Sequence, residues 1–360
     1  MLIERLMINQ FRNIIDADIR LNPGINAFVG DNGSGKTSLL EAIYTLGHGR
    51  AFRTSMTQRV IHHDAQAFYL HASLFDNRSN SVKIGLSKDR QGETKVKINE
   101  VTACKIADLA KNLPIQLITP EGFSLIDGGP KFRRAFIDWG VFHHTPNFFE
   151  AWFNIKRLIK QRNAALKQHH RYKDIQIWDE ELVKYTYTIH YMRQSYCDTL
   201  IFIIKEYLEK FLPGYVIDFN YYPGWNVQYE YDGLLSESFE RDKQLGYTSF
   251  GAHKADLKLT INKLPVESVL SRGQLKLLMC AMRLAQGDFF ARNNEKNCLF
   301  LLDDFSSELD TKRQTLLAES LLEQSAQVCI TALRLDLINM FNVQKDFSVF
   351  SVKNGCFYSH

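Results

Sequence analysis

The apolar positions along the chain change period several times, and each change marks an element. "LIERLMINQ" and "GINAFVG" are short apolar runs of strand character, separated by the turn "NPG". After Gly35 the run "KTSLLEAIYTLG" sets Leu39, Leu40, Ile43 and Leu46 at helical spacing, with a glycine stop expected at Gly47. Further strands are predicted in "AFYLHASLF", "SVKIGLS" and "KVKIN". A helical region follows. Phe148, Trp152, Ile155, Ile159 and Leu166 form one stripe; Trp178, Leu182, Tyr185, Ile189 and Met192 begin a heptad-like second one that runs on to Phe211. The polar break "KQHHRYKD" between them is short, so the two helices should lie antiparallel as an arm about 45–50 Å long at 1.5 Å per residue. Beyond "LPG", strands are predicted in "VIDFNYY", "NVQYEY" and "LKLTIN", then a helix from about Gly273 to Phe290. "NCLFLLDDF" is an apolar strand ending in two aspartates. The tail adds strands in "AQVCITAL" and "DFSVFSVKNGCFYS" with a helix between.

Length sharpens this picture. A chain of 360 residues exceeds a single hydrophobic core, which predicts two domains or one domain with an insertion. No window approaches the roughly 18 uncharged apolar residues of a membrane span, and Glu4 and Arg5 interrupt the first apolar run. A soluble, cytoplasmic protein without membrane partners is expected. Cys104, Cys197, Cys280, Cys298, Cys329 and Cys356 form no C-x-x-C pair and read as buried thiols of a reducing compartment. The net charge of +4 is mild, yet the stretch Lys131–Lys173 alone carries +8 and leaves the rest slightly acidic. Such a run is either a solvated helical face or a set of phosphate contacts.

Three short segments carry chemistry. Gly30, Asp31, Asn32, Gly33, Ser34, Gly35, Lys36 and Thr37 spell G-x-x-x-x-G-K-[ST] between a strand and a helix, the context of a phosphate loop, with Ser38 next on the helix. Its glycines let backbone N–H groups point at phosphate, and the helix N-terminus adds partial positive charge. ATP or GTP is the expected ligand, with Lys36 reaching the β and γ phosphates and the Thr37 hydroxyl on Mg2+. At the end of "CLFLLDDF", Asp303 is placed to hold the Mg2+ ion and Asp304 to orient or deprotonate water. Third, "SRGQLK" puts Ser271, Gly273 and Gln274 at the start of an apolar helix, where a simple N-cap would explain them as well as an anion site.

In the order phosphate loop, S-x-G-Q, acidic strand end, "SELD" (Ser307–Asp310), these segments resemble ABC-type ATPases. The resemblance narrows to the RecF family of DNA replication and repair proteins, related to the heads of chromosome-maintenance (SMC) ATPases. It is carried end to end by "NQFRN", "GDNGSGKTSLLEAI", "GHGRAFRT", "TPEGFSLIDGGPKFRRAFIDW", "IKQRNAALK", "GAHKADLKL", "SRGQLKLL" and "LLDDFSSELD". It implies an α/β fold, a P-loop ABC/SMC-head-like ATPase lobe with an inserted mainly helical arm: residues 1–130 and 247–360 as the lobe, 131–246 as the arm. It implies slow, DNA-stimulated ATP hydrolysis used as a switch, an ATP-induced homodimer, DNA binding at duplex and single-strand/double-strand junctions, and action with RecO and RecR in RecA-dependent gap repair. By carry-over, Arg12, Asn13 and Asn32 lie near the nucleotide. Ser271, Gly273 and Gln274 face the nucleotide held by the partner, and Asp310 sits at the dimer seam. Ala252 and Lys254 stand where the family pattern has proline and arginine, and a lysine lacks the bidentate fork. A transporter ATPase or a chromosome-organising head is the alternative. Against them stand an inserted arm that is not the compact helical subdomain of the first, and far shorter than that of the second.

Overall fold

The computed structural model describes residues 2–75, 81–102, 105–168, 170–294, 296–305, 309–324, 326–341 and 346–360. They fall into two compact units, Met1–Gly122 with Cys280–His360, and Phe123–Met279.

Two six-stranded sheets build the first unit. One is antiparallel, in the spatial order Ile14–Arg20, Leu2–Phe11, Ala67–Phe75, Ser81–Asp89, Thr94–Ile98, Val101–Thr102. Its strands alternate: Phe68, Leu70, Ala72 and Leu74 are buried while Tyr69 faces solvent, the signature of a sheet covered on one side. The other runs Cys356–Ser359, Phe347–Lys353, Ile25–Val29, Val328–Ala332, Leu299–Leu302, Ile115–Ile118, all parallel except the hairpin of the first two. Here burial is continuous along Val328–Ala332 and Leu299–Leu302, as a parallel sheet covered on both faces requires. Leu39, Leu40, Ile43 and Leu46 of the helix Lys36–His48 share one buried cluster with Leu6 and Ile8 of the first sheet and Phe28 and Leu301 of the second.

Some local expectations shift. The first helix stops at Gly49 (φ 67°), whose N–H bonds Thr45 O at 2.7 Å; Gly47 lies inside it, where a Cβ would come within 2.7 Å of Ile115. The tail holds three strands, because Asn354 (φ 50°) and Gly355 (φ 79°) fold "KNGC" into a two-residue hairpin turn. Between Val328–Ala332 and Phe347–Lys353 the described residues form a 3-10 turn, Leu335–Phe341. "NVQYEY" is no strand: Asn226 accepts the Gln228 and Tyr229 N–H groups, each at 3.1 Å, and turns the chain into the helix Tyr231–Glu237. Cys197, Cys280, Cys298 and Cys329 are buried thiols outside any disulfide, whereas Cys356 is exposed; Cys104 lies outside the described residues. Among the described residues no helix is long and apolar enough to cross a membrane.

The second unit is mainly helical. Its elements are Pro130–His144, Phe148–Lys167, Tyr172–Phe211, Tyr231–Glu237, Phe239–Leu245, Val266–Val269, the first part of Arg272–Asn293, and a three-stranded sheet led by Asp218–Tyr222 and Asp256–Ile261. Arg162 bonds Asp179 and Arg157 lies 3.6 Å from Glu181, so the helices Phe148–Lys167 and Tyr172–Phe211 run antiparallel. The longer of them has 40 residues, roughly 60 Å at 1.5 Å per residue.

Its buried face keeps most of the predicted apolar stripe, since Leu182, Ile189, Tyr196, Leu200, Ile203, Tyr207 and Phe211 are buried, and departs from it at three positions in the first half of the helix. Trp178, Tyr185 and Met192 are half-buried, and Asp179, Thr186 and Arg193, one position on, are buried instead. The two charged groups are compensated. Arg162, fully buried, donates to Asp179 (3.0 Å), Asp242 (2.8 Å) and Thr248 (3.0 Å). Arg193 donates to Asp138 at 2.8 Å and to the Ala252 carbonyl at 2.6 Å. Three cations of the basic stretch are thereby structural: Arg162, Arg133, which grips Asp256 through two bonds of 2.8 and 2.9 Å, and Arg134, which donates to the Ala255 carbonyl at 2.6 Å. Lys131, Lys156, Arg157, Lys160, Lys167, Arg171 and Lys173 are the exposed members.

Removing Arg162 leaves two buried carboxylates without their cation. Arg162→Met is expected to lower unfolding free energy by about 3–5 kcal/mol, read by urea denaturation, while exposed Lys160→Met should change it by less than about 0.5 kcal/mol.

Candidate nucleotide site

Strand order creates the site. The strands Ile25–Val29 and Leu299–Leu302 flank Val328–Ala332 in parallel, so their carboxyl ends open on one edge. Ligands of open α/β sheets bind at such an edge. The phosphate loop leaves the first strand, Asp303 and Asp304 leave the second, and Thr331 and Ala332 end the middle one.

Glycine geometry shapes the loop. Gly33 (φ 78°) and Gly35 (φ 120°) occupy left-handed backbone. At Gly30 a Cβ would stand 2.3 Å from the Val352 carbonyl, a backbone atom that cannot yield. The hairpin supports the loop from behind, since the Gly355 N–H bonds Ser34 O at 2.7 Å. Lys36 folds onto the loop, its Nζ donating to Gly30 O (2.6 Å) and Asp31 O (2.8 Å), and burial lowers its pKa. Those bonds hold an ammonium group that an anion's oxygens can take over.

Beside it, Asp303 Oδ1 accepts from Thr37 Oγ1 (2.9 Å) and Thr331 Oγ1 (2.8 Å). Burial raises the Asp303 pKa; the two hydroxyl bonds oppose the rise. Asp304 has φ 47°, and its N–H is fixed by Thr331 Oγ1 at 2.8 Å. Arg12 Nε donates to Glu41 Oε2 at 2.7 Å, and the other oxygen of this fully buried glutamate accepts the Arg53 N–H at 3.0 Å. Asn13 ties the loop to the helix: it donates to Gly33 O (3.2 Å) and accepts from Ser38 Oγ (2.7 Å).

Around these groups lies a cleft of about 760 Å³ bordered by Arg12, Asn13, the loop from Asn32 to Ser38, Asp303 and Asp304. Gly30 and Asp31 do not border it; their carbonyls accept from Lys36, which does. Sequence reasoning did not single out Phe52, Arg53, Arg59, His62, Thr119 or Thr331, which border it too. Thr331 had a signal, a hydroxyl within the otherwise apolar end of a buried strand; Phe52 and Arg53 lie in the quoted "GHGRAFRT" and Thr119 opens the quoted "TPEGFSLIDGGPKFRRAFIDW", and Arg59 and His62 had none. Ser271, Gly273 and Gln274 belong to the second unit. There Ser271 N–H bonds Gln274 Oε1 at 2.8 Å, and Gln274 N–H reaches Ser271 Oγ at 3.4 Å, a reciprocal helix cap. Asp310 caps the helix Thr311–Glu323 through Arg313 N–H at 3.0 Å; Ser307 lies outside the described residues.

A strand-to-helix phosphate loop whose threonine bonds the acid ending a second parallel strand defines a P-loop ATPase head. The chain matches the family described as RecF/RecN/SMC N terminal domain over residues 2–357. It is 53% identical over 358 residues to the DNA replication and repair protein RecF of Proteus mirabilis (strain HI4320), covering 99% of this chain and 98% of that one. To the protein of the same name from Edwardsiella ictaluri (strain 93-146) it is 51% identical over 355 residues, 99% of each chain. Among solved structures, the recombination mediator protein RecF with ATP, of the RecFOR pathway, superposes with a TM-score of 0.89 at 23% identity, over 100% of this chain and 97% of that one. An SMC head bound to the C-winged helix domain of ScpA gives 0.61 at 16% identity, over 100% and 97%. The chain belongs to the RecF/RecN/SMC family, and within it to the RecF proteins of DNA replication and repair. The transporter and chromosome-organiser alternatives are not favoured.

Glu41 holds two walls of the cleft at once. Glu41→Ala should cost about 2–3 kcal/mol by thermal unfolding, since it orphans the Arg53 N–H and a partly buried guanidinium together.

Proposed function

We propose that this chain is an ATP-switched DNA clamp of gap repair. The observation that carries the reading is the bond between Thr37 and Asp303, which sets two oxygen donors 2.9 Å apart beside Lys36. An all-oxygen donor pair of that kind suits Mg2+ rather than a softer ion. Thr37 and Asp303 are the residues that would hold Mg2+, which would supply positive charge against the phosphates of ATP. Lys36 and the loop N–H groups bind and orient the triphosphate; Arg12, Asn13, Asn32 and Ser38 border it. Asp304, fixed at its backbone by Thr331, positions the attacking water.

ATP in the cleft draws two protomers head to tail, each offering Ser271, Gly273 and Gln274 to the other's γ phosphate. Closure places DNA, duplex or a single-strand/double-strand junction, against exposed cations such as Lys131, Lys156, Arg157 and Lys160. Phosphate contact of this kind carries no sequence readout. Hydrolysis then reopens the dimer. It is slow because Asp304 is one methylene shorter than a glutamate would be. RecO and RecR take part in the cytoplasm, and RecA is the protein loaded. The name RecFOR pathway, borne by the structural relative, supports the part given to RecO and RecR.

Sedimentation of the full chain with no nucleotide, with ADP and with a non-hydrolysable ATP analogue tests the switch. Dimers should form with the analogue alone, and Lys36→Met should abolish them. DNA affinity measured with the analogue should fall steeply with salt, and Lys131→Ala with Lys160→Ala should reduce the log–log slope by about two. Salt-insensitive binding overturns the clamp. Asp304→Glu should change turnover at saturating ATP, and an unaltered rate argues against the role given to side-chain reach.

A further inference from the structure

The cap at Ser271 has a third member. Gln274 Oε1 is committed to the Ser271 N–H, which can only donate, so the amide nitrogen must point the other way. It donates to the Tyr215 hydroxyl at 2.8 Å. Tyr215 follows the helix Tyr172–Phe211 in a turn closed by its own N–H to Leu212 O at 3.2 Å and turned by Gly214 at φ 88°. It is 59 positions from Gln274 in sequence and 38% exposed, so apolar burial does not by itself account for its placement.

We propose that Tyr215 is a positioning residue for the Ser271–Gln274 turn, acting through the Gln274 side chain; this rests on the two-sided grip on ATP proposed above. The chemistry follows from counting donors. Among the described residues Ser271 Oγ accepts only the long 3.4 Å bond from Gln274 N–H, and its own O–H has no acceptor there. A free hydroxyl at a helix N-terminus serves an incoming phosphate oxygen only if the turn is already in shape, because donors set in advance need no reorganisation when the charge arrives. Without Tyr215 the Gln274 amide keeps one hydrogen bond and gains freedom to leave the cap for water. With it, the amide is held at both ends. The hydroxyl of Tyr215 spends an acceptor site on Gln274 and retains its own proton for solvent or for a ligand oxygen beside the turn.

Tyr215→Phe removes the one oxygen. In the full-length chain this variant should bind a fluorescent ATP analogue as the parent protein does, since Tyr215 is not among the residues bordering the nucleotide cleft. Dimerisation with a non-hydrolysable analogue and turnover at saturating ATP should both fall by about three- to tenfold, the worth of one hydrogen bond. Tyr215→Phe combined with Gln274→Ala should be no worse than Gln274→Ala alone, because the tyrosine acts only through that amide. Parental association and turnover in Tyr215→Phe, or additive losses in the double variant, overturn the proposal. Ser271→Arg separates the two layers. Should it still dimerise with ATP, the two-sided grip fails, and amide hydrogen exchange at Ser271–Gln274 in Tyr215→Phe then decides: faster exchange upholds the positioning role and unchanged exchange overturns it.

Discussion

A carboxylate buried at the end of a central strand must have its charge answered, and in this protein Asp303 is answered by two hydroxyls, one from the first turn of the helix Lys36–His48 and one from the end of the strand Val328–Ala332. Desolvation pushes the Asp303 pKa up, and the threonines oppose that push. Neither threonine can reach the acid unless the three parallel strands keep their order and register. Thr37 depends on the loop leaving Val29; Thr331 depends on pairing between Val328–Ala332 and its two neighbours. The same register sets the depth of Lys36 and the turn at Asp304. One electrostatic requirement therefore fixes the geometry of every polar group on that side of the cleft.

The helix Lys36–His48 transmits this constraint outward. Its first turn carries Lys36 and Thr37, and Glu41 one turn later holds Arg12 and the backbone of Arg53. A glutamate with no exposure is expensive unless paired. Its pairing with a side chain and a backbone N–H from separate segments makes the opposite wall an extension of the phosphate loop.

The sequence made the loop, the acidic strand end and most strands readable because their periods are local: two for the antiparallel sheet, an unbroken apolar run for the parallel one, and a glycine pattern between. It revealed most of the buried stripe of the long helix but not its polar members, since Asp179 and Arg193 look like surface residues until Arg162 and Asp138 are seen opposite them. For the same reason a charge count could not separate Arg133, Arg134 and Arg162 from the exposed cations beside them. Gly47 misled by its type: glycine ends helices, but it also permits close approach, and at Ile115 the second use prevails. Phe52, Arg53 and Arg59 reach the cleft only through folding of distant segments, which no spacing rule encodes.

The hairpin turned by Asn354 and Gly355 bears on how the molecule comes to exist. Ser34 receives a hydrogen bond from Gly355, and Ile25–Val29 lies between two strands drawn from the far end of the chain, Val328–Ala332 and Phe347–Lys353. On the ribosome the triphosphate motif therefore emerges first and is braced last. Contacts so remote in sequence make folding slow. Until the final segment arrives, the nascent protein holds a recognisable motif with no rigid wall behind it, so an interrupted translation product lacks the support that keeps the loop in shape.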